Sequence, residues 1–466
     1  MSSWDRRPLA AQSKAAATAL RTQVVDVVGP FSPFWRERLK TLGRTAASVA
    51  TLEAVAQLPA VGERDVCPDG DPAGAAALVV QAGERGWALH AEGPVLRRGL
   101  ARRLVAPRSY AAVVEADTRP TSFVWAGLAM RFPVASTRRD LDVVARCGAR
   151  LWSVLGLTRA DVVVSALPLL PRAEAQALSL GALGAGSPLL APGNAPDAVA
   201  EALGLVPATV LALPADDAAE LLDDLDQAGA PLDGVRTVLL VGAPDDDERA
   251  AARAALERAG VRDAVVLAVH VPDGHRLPWG ECRESGGGSG LHTYPDLELL
   301  DAVDPATGER ADGAGPRELV LSQLGMRGTA LLRWRTGDVV DAVTPEPCPA
   351  CGRTVPRVVG TRRAALVPPL SLRDGVTPVD LRAAAGGLVG RPDLDDWRLV
   401  VRRSPRDGRD QLLVHVRPAA SATASDVVTA VDAAVRSSAG LAPTQVVLDD
   451  DLPADGHPLG SHLLLR

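Results

Sequence analysis

Cys348-Pro-Ala-Cys351, followed at once by Gly352, has the spacing at which two thiolates reach one Zn²⁺ from a tight turn. Cys282 and His292 stand upstream, on either side of Ser285-Gly-Gly-Gly-Ser-Gly290, and complete a Cys₃His set, the four ligands that tetrahedral zinc takes. With every position filled by protein, no place is left on the ion for a substrate. The pattern therefore predicts a structural zinc staple between two loops, weighed against an unoccupied thiol pair. The glycine-rich stretch lacks the Lys-Ser/Thr ending of a P-loop and reads as a flexible connection between ligands. Cys67 and Cys147 have no sequence partner and read as ordinary buried thiols. Five cysteines in 466 residues make no disulfide framework and suit a reducing cytosol.

Such ligands need a frame to hold them. Asp161-Val-Val-Val-Ser-Ala-Leu167, Thr237-Val-Leu-Leu-Val-Gly242 and Ala264-Val-Val-Leu-Ala-Val-His270 read as strands. The second leads directly into Asp245-Asp-Asp-Glu248, acidic side chains where a helix N-terminus favours negative charge. This β-α-β rhythm predicts an α/β unit with a mainly parallel sheet covered by helices. An alanine-rich helix over about residues 8–28 precedes it. Beyond about residue 360, Trp397-Arg-Leu-Val-Val and Gln411-Leu-Leu-Val-His-Val flank the turn-rich Ser404–Asp410, a hairpin signature. A helix over 424–438 and a strand over 444–448 then complete a small α+β unit. The predicted division is 1–359 and 360–466.

Composition narrows the function. With 50 basic and 57 acidic side chains the formal charge is −7, against a nucleic-acid partner. Arg6-Arg7 is not followed by an apolar h-region, and Pro, Gly, Arg or Asp interrupts each apolar run, so no membrane partner and a cytoplasmic location are expected. All but two of the basic residues are arginine. The lysines are Lys14 and Lys40, so any mechanism needing a lysine farther along the chain is excluded.

Pro316-Arg-Glu-Leu-Val-Leu, Leu331-Leu-Arg-Trp-Arg-Thr-Gly-Asp338, the cysteine knuckle and Val359-Gly360 together resemble the phenylacetate–CoA ligase branch of the adenylate-forming superfamily. Glu281-Cys…Gly290-Leu-His292…Asp296, Val303-Asp-Pro-Ala-Thr-Gly-Glu309 and Phe34-Trp-Arg-Glu-Arg-Leu carry the same likeness, which runs from about residue 20 to the end. It implies a large N-terminal domain and a small mobile C-terminal domain hinged near residue 360. Members activate a carboxylic acid with ATP and Mg²⁺ to an acyl-adenylate and pass the acyl group to coenzyme A, or in related proteins to a carrier protein. The aspartate matching Asp338 holds the ribose hydroxyls in such enzymes; in this sequence it also reads as a turn residue after Gly337. Some members carry the zinc staple, and Cys282, His292, Cys348 and Cys351 match its ligands.

Several motifs depart from the family pattern. The Ser/Thr/Gly-rich phosphate loop falls near 120–137, where this chain has Phe123, Val124, Trp125 and Phe132, a composition that predicts packed strand or helix. Arg131 is its one evident phosphate partner. The aromatic-Gly-x-x-Glu motif becomes Val269-His-Val-Pro-Asp273, leaving Asp273 as the candidate oxygen ligand for Mg²⁺. The hinge motif becomes Gly360-Thr-Arg-Arg-Ala364, without its carboxylates. At the C-terminal lysine of the family stands His457, the candidate catalytic residue. Asp338, Arg335, Asp273 and Arg131 are the candidate nucleotide-binding residues. Two functions follow: a divergent ligase activating an aryl or other carboxylic acid, or a non-adenylating descendant that binds a ligand or partner, or runs different chemistry, in the same cleft. The other histidines, His270 among them, have no catalytic partner in the sequence.

Overall fold

The computed structural model describes residues 3–67, 71–82, 89–90, 97, 101, 104–105, 117, 119–127, 132–168, 172–305, 308–310, 317–361, 369–372, 375–379, 381–404, 409–449, 452 and 463–465. The alanine-rich start divides where its β-branched residues gather. Helix α1 runs Leu9–Gln23, and Val24–Val28 widens into a π-type turn. Helix α2 follows at Pro33–Thr41.

The segment in place of the phosphate loop forms strands β1 (Pro120–Ala126) and β2 (Phe132–Thr137). They pair antiparallel with Val124 opposite Val134, and both valines are buried. Bulky apolar residues at alternate positions favour a half-buried strand over a glycine cradle. Helix α3 (Arg138–Val154) starts immediately, through a capping box in which Thr137 and Asp140 each accept the other's backbone N–H.

A nine-stranded sheet follows. Strands β3 (Val163–Ser165), β4 (Leu189–Leu190), β5 (Val210–Pro214), β6 (Thr237–Val241) and β7 (Val265–His270) are parallel. Their connections are helices α4 (Ala173–Ala185), α5 (Pro196–Leu205), α6 (Ala218–Gln227) and α7 (Asp246–Arg258). Side-chain alternation sorts the core. Leu211, Leu213, Val238 and Leu240 pack on α5, α6 and α7, while Val210, Ala212, Leu239 and Val241 pack on α3 and α4. Four antiparallel strands extend the sheet beyond β7: β8 (Trp279–Gly280), β9 (Leu291–His292), β13 (Ala342–Thr344) and β14 (Arg357–Val359). Strands β10 (Glu298–Val303), β11 (Arg317–Gln323) and β12 (Trp334–Val340) make a separate antiparallel sheet.

Beyond residue 361, β15 (Pro369–Leu372) and β16 (Gly375–Pro378) form a hairpin, followed by α8 (Leu381–Gly386). Then come β17 (Leu394–Arg403), β18 (Asp410–Pro418), α9 (Ala424–Ala439), β19 (Gln445–Leu448) and β20 (Leu463–Leu465), in a sheet ordered β19-β18-β17-β20. The hairpin, helix and strand expected there from sequence are all present. No helix among the described residues is long and apolar enough to cross a membrane.

Candidate metal centre and ligand cleft

Strand pairing brings the four metal-ligand candidates together. Gly280 on β8 pairs with His292 on β9, which places Cys282 beside the imidazole. Arg357 on β14 pairs with His292 from the other side, so the turn between β13 and β14 delivers Cys348 and Cys351. That turn is closed by hydrogen bonds from the Cys348 N–H to the Arg353 carbonyl and from the Gly352 N–H to the Cys348 carbonyl, each 2.8 Å. Gly352 takes the left-handed conformation the knuckle requires, at φ +68°.

The ligand atoms of all four residues lie within 4.8 Å of one another, and all four residues are buried. Cys282 Sγ and Cys348 Sγ are 3.8 Å apart, and Cys351 Sγ and His292 Nε2 are 3.7 Å apart. A disulfide needs about 2.05 Å. A Zn–S bond of about 2.3 Å in a tetrahedron sets sulfurs about 3.8 Å apart. Burial, with the nearby Arg353 and Arg357 guanidinium groups, pushes the His292 imidazole down to about 3, so it is held neutral as a metal ligand must be. Burial opposes ionisation of Cys348, but the backbone N–H groups of Cys351 and Ala350 bring its thiol below the ordinary value. The donor set fits zinc with four protein ligands, a closed structural centre.

The glycine-rich loop between the ligands is tied down by a carboxylate. Buried Glu281 accepts the backbone N–H groups of Ala268 and Gly288, each at 2.7 Å, and the Arg249 guanidinium at 2.9 and 3.2 Å. An internal anion thus takes donors that a phosphate would need, in keeping with the connecting role.

A second constellation lies at the carboxyl end of β7. Asp338 on β12 is buried, and its Oδ2 lies 2.9 Å from His270 Nε2. Sequence reading left His270 without a partner. Its position at the carboxyl end of a parallel strand, where ligands bind in open α/β sheets, was the available signal. Three residues farther, Asp273 is half-buried and its Oδ1 accepts the Gly127 N–H at 2.9 Å, joining this loop to the end of β1. Burial, with the Glu63 carboxylate nearby, pushes Asp273 up to about 8, against the pull of the Gly127 N–H.

Arg335 is not brought to Asp338. The pairing of β12 with β11 slips between Arg335 and Val339, where Gly337 takes a φ of +68°, and Arg335 turns to Glu318 while Asp338 is buried. The Arg335 guanidinium is held by Glu318 and by the Pro305 carbonyl, at 2.8 and 2.6 Å. Arg131 and His457 lie outside the described residues.

The residues that follow Asp273 enter a buried polar network that the sequence did not reveal. Arg276 donates to the carbonyls of Ala135 and Thr329 and to Gln323 Oε1, at 2.7, 2.7 and 2.6 Å. Glu298 takes the His275 ring at 2.6 Å, the Trp279 indole N–H at 2.9 Å and the Tyr294 N–H at 2.6 Å. A cavity of about 480 Å³ opens between the start of α7, the glycine-rich loop and the end of β14. Gly242–Asp247, Glu281, Asp341 and Thr361 line it; Asp338, His270 and Asp273 do not.

No protein-family model matches this chain, and no curated protein sequence matches it. Solved structures do. A 2-hydroxyisobutyryl-CoA ligase in the postadenylation state, in complex with 2-HIB-AMP, superposes with a TM-score of 0.64 over 100% of this chain and 91% of that one, at 16% identity. An open conformation of that ligase with 2-HIB-AMP and CoA gives 0.61 over 99% and 93%, also at 16% identity. At this identity the likeness is one of fold, and the fold is that of the adenylate-forming acyl-CoA ligases along the full chain.

Proposed function

We propose that this chain is a divergent adenylate-forming protein, of the phenylacetate–CoA ligase-like type, whose cleft takes the adenosine end of a nucleotide together with a small, aryl, carboxylic acid. The observation that carries the reading is the buried Asp338 carboxylate facing His270 at the carboxyl end of β7. With Oδ2 against the imidazole, Oδ1 is the oxygen offered to ribose hydroxyls, an acceptor role that suits a carboxylate. Arg335 acts indirectly, holding the strand that carries Asp338 through its bonds to Glu318 and Pro305. In this reading His457 and Arg131 meet the phosphate end, coenzyme A or a carrier protein accepts the acyl group, and zinc at Cys282, His292, Cys348 and Cys351 is structural.

One half-buried carboxylate already accepting a backbone N–H does not make a Mg²⁺ site, and no step is routed through that ion. That same geometry favours a second reading, a descendant that binds in the cleft without adenylating. The segment that the family resemblance assigns to the phosphate loop is taken up by strands β1 and β2, Phe123 and Trp125 are exposed at 54% and 47%, and the Gly127 N–H is engaged by Asp273.

Calorimetry with AMP and with Mg-ATP tests the proposal, followed by pyrophosphate release across a panel of aromatic acids. Binding of both nucleotides with acid-dependent release supports the ligase. AMP binding with no release supports the second reading. Binding of neither nucleotide sinks the ligase.

A further inference from the structure

The CxxC turn does more than face the metal. Its outer side is the seat of the N-terminal segment. Arg353, two residues after Cys351, is buried and donates Nε to Asp5 Oδ2 at 2.9 Å, and it donates an η-nitrogen to the Ser153 carbonyl at 2.7 Å. Asp5 is itself 1% exposed, so this ion pair is shielded from water and salt. The Thr354 N–H donates to the Asp5 carbonyl at 2.8 Å, and Thr354 Oγ1 donates to the Arg7 carbonyl at 2.7 Å. Arg6 donates to the Cys351 carbonyl at 3.1 Å. Gln12, on α1, donates Nε2 to the Thr354 carbonyl and hydroxyl at 3.1 and 3.0 Å. Trp4 closes the seat, its ring 5.4 Å from Tyr294 and under the Arg150 guanidinium at 4.5 Å.

These contacts depend on the conformation of four consecutive residues, Cys351 to Thr354, which follow directly on the two sulfurs of the knuckle that an ion would hold. The same Arg353 faces the thiol of Cys351 on one side and Asp5 on the other. A zinc held by three thiolates and one imidazole carries a net negative charge, which Arg353 lies in place to offset.

We propose that the metal centre is a latch for the N-terminal segment: the metal-held knuckle presents Arg353 and Thr354 to Asp5, so that metal binding and docking of residues 3–12 reinforce each other. Coupling of this kind is reciprocal, so a latch broken from the protein side must loosen the metal. The inference rests on the zinc reading of the Cys₃His set, which metal content alone decides, separately from the latch.

The test uses the full chain loaded with zinc and three variants: Asp5→Ala, Arg353→Ala and, as a control, Arg258→Ala, whose partner Asp223 lies on the surface of α6. Hydrogen exchange by mass spectrometry follows residues 3–12, and a chromogenic chelator follows zinc release. Asp5→Ala and Arg353→Ala keep all four ligands. They should raise exchange in residues 3–12 at least tenfold and speed zinc release at least threefold, with β17 and β18 unchanged as an internal reference. Arg258→Ala should alter neither. Zinc release that is unchanged in Asp5→Ala overturns the proposal, as does unchanged protection of residues 3–12 in that variant. Stripping zinc from the native chain should likewise expose residues 3–12. Full protection of the segment in a metal-free chain that remains folded overturns it as well.

Discussion

A carboxylate normally gives up its proton near pH 4, yet Asp273 keeps its proton to about 8, because burial and the nearby Glu63 charge both oppose ionisation. The consequence for stability has a definite sign. Between about pH 4 and pH 8 the unfolded chain has released this proton while the folded chain still holds it, so stability falls as pH rises through that window. Asn at this position keeps an oxygen for the Gly127 N–H and has nothing to ionise. Asp273→Asn should therefore level the slope and raise stability at pH 8 by about 1 kcal/mol or more, one pKa unit being about 1.36 kcal/mol. Urea unfolding of both proteins at pH 5 and pH 8 reads this directly; parallel curves at the two pH values would refute it. Residues of this kind were only partly legible. Asp273 and Asp338 stood out by type and motif, whereas the His270–Asp338 pair joins positions 68 apart and the Glu298 and Arg276 networks join five separate segments. Single-chain patterning has no term for such contacts.

Elements were more legible, because their signals are local. The acidic run at 245–248 becomes the capping box of α7, in which Asp245 and Glu248 exchange backbone N–H groups at 2.8 and 2.9 Å. Of the five parallel strands, β3, β6 and β7 were visible as valine-rich runs, since a strand covered on both faces has no polar alternation, whereas β4 and β5 were missed. Strands β8 and β9 were not, being two residues each and placed by their pairing with β7 and β14. Glycines within helices carried information that only the packing explains. A Cβ on Gly148 of α3 would lie 1.9 Å from Gly181 Cα of α4, a backbone atom that no rotamer change can move. Gly148→Ala should therefore cost about 2 kcal/mol or more, despite the better helix propensity of alanine. Gly204, near the end of α5, would meet nothing within 4 Å. Gly204→Ala should gain up to about 1 kcal/mol. Denaturation midpoints that shift in the same direction for both would contradict this account of the α3–α4 contact.

Across the whole molecule the chain builds its apolar core in separate parcels. Val379, Leu399, Val414, Val431 and their neighbours form a cluster drawn entirely from residues 379–446, and the nine-stranded sheet ends with β14 at Val359. The metal ligands, Asp338, His270 and the N-terminal seat all precede residue 361, whereas His457 follows it. A chain ended at Thr361 keeps every strand of the large sheet and all four candidate zinc ligands, and among the described residues it leaves no apolar partner of the 379–446 cluster behind. It should fold, bind one zinc per chain and, with Asp338 in place, bind AMP within about tenfold of the full chain. If His457 has the role proposed for it, this truncated chain should show no acyl transfer, since that residue has been removed. Metal analysis, calorimetry with AMP and a thermal scan together decide the matter. An insoluble or metal-free product would mean that the two parcels depend on each other for folding. A truncated chain that still transfers acyl groups would mean that His457 has no part in the chemistry, which would then have to rest on arginine and on the His270–Asp338 pair.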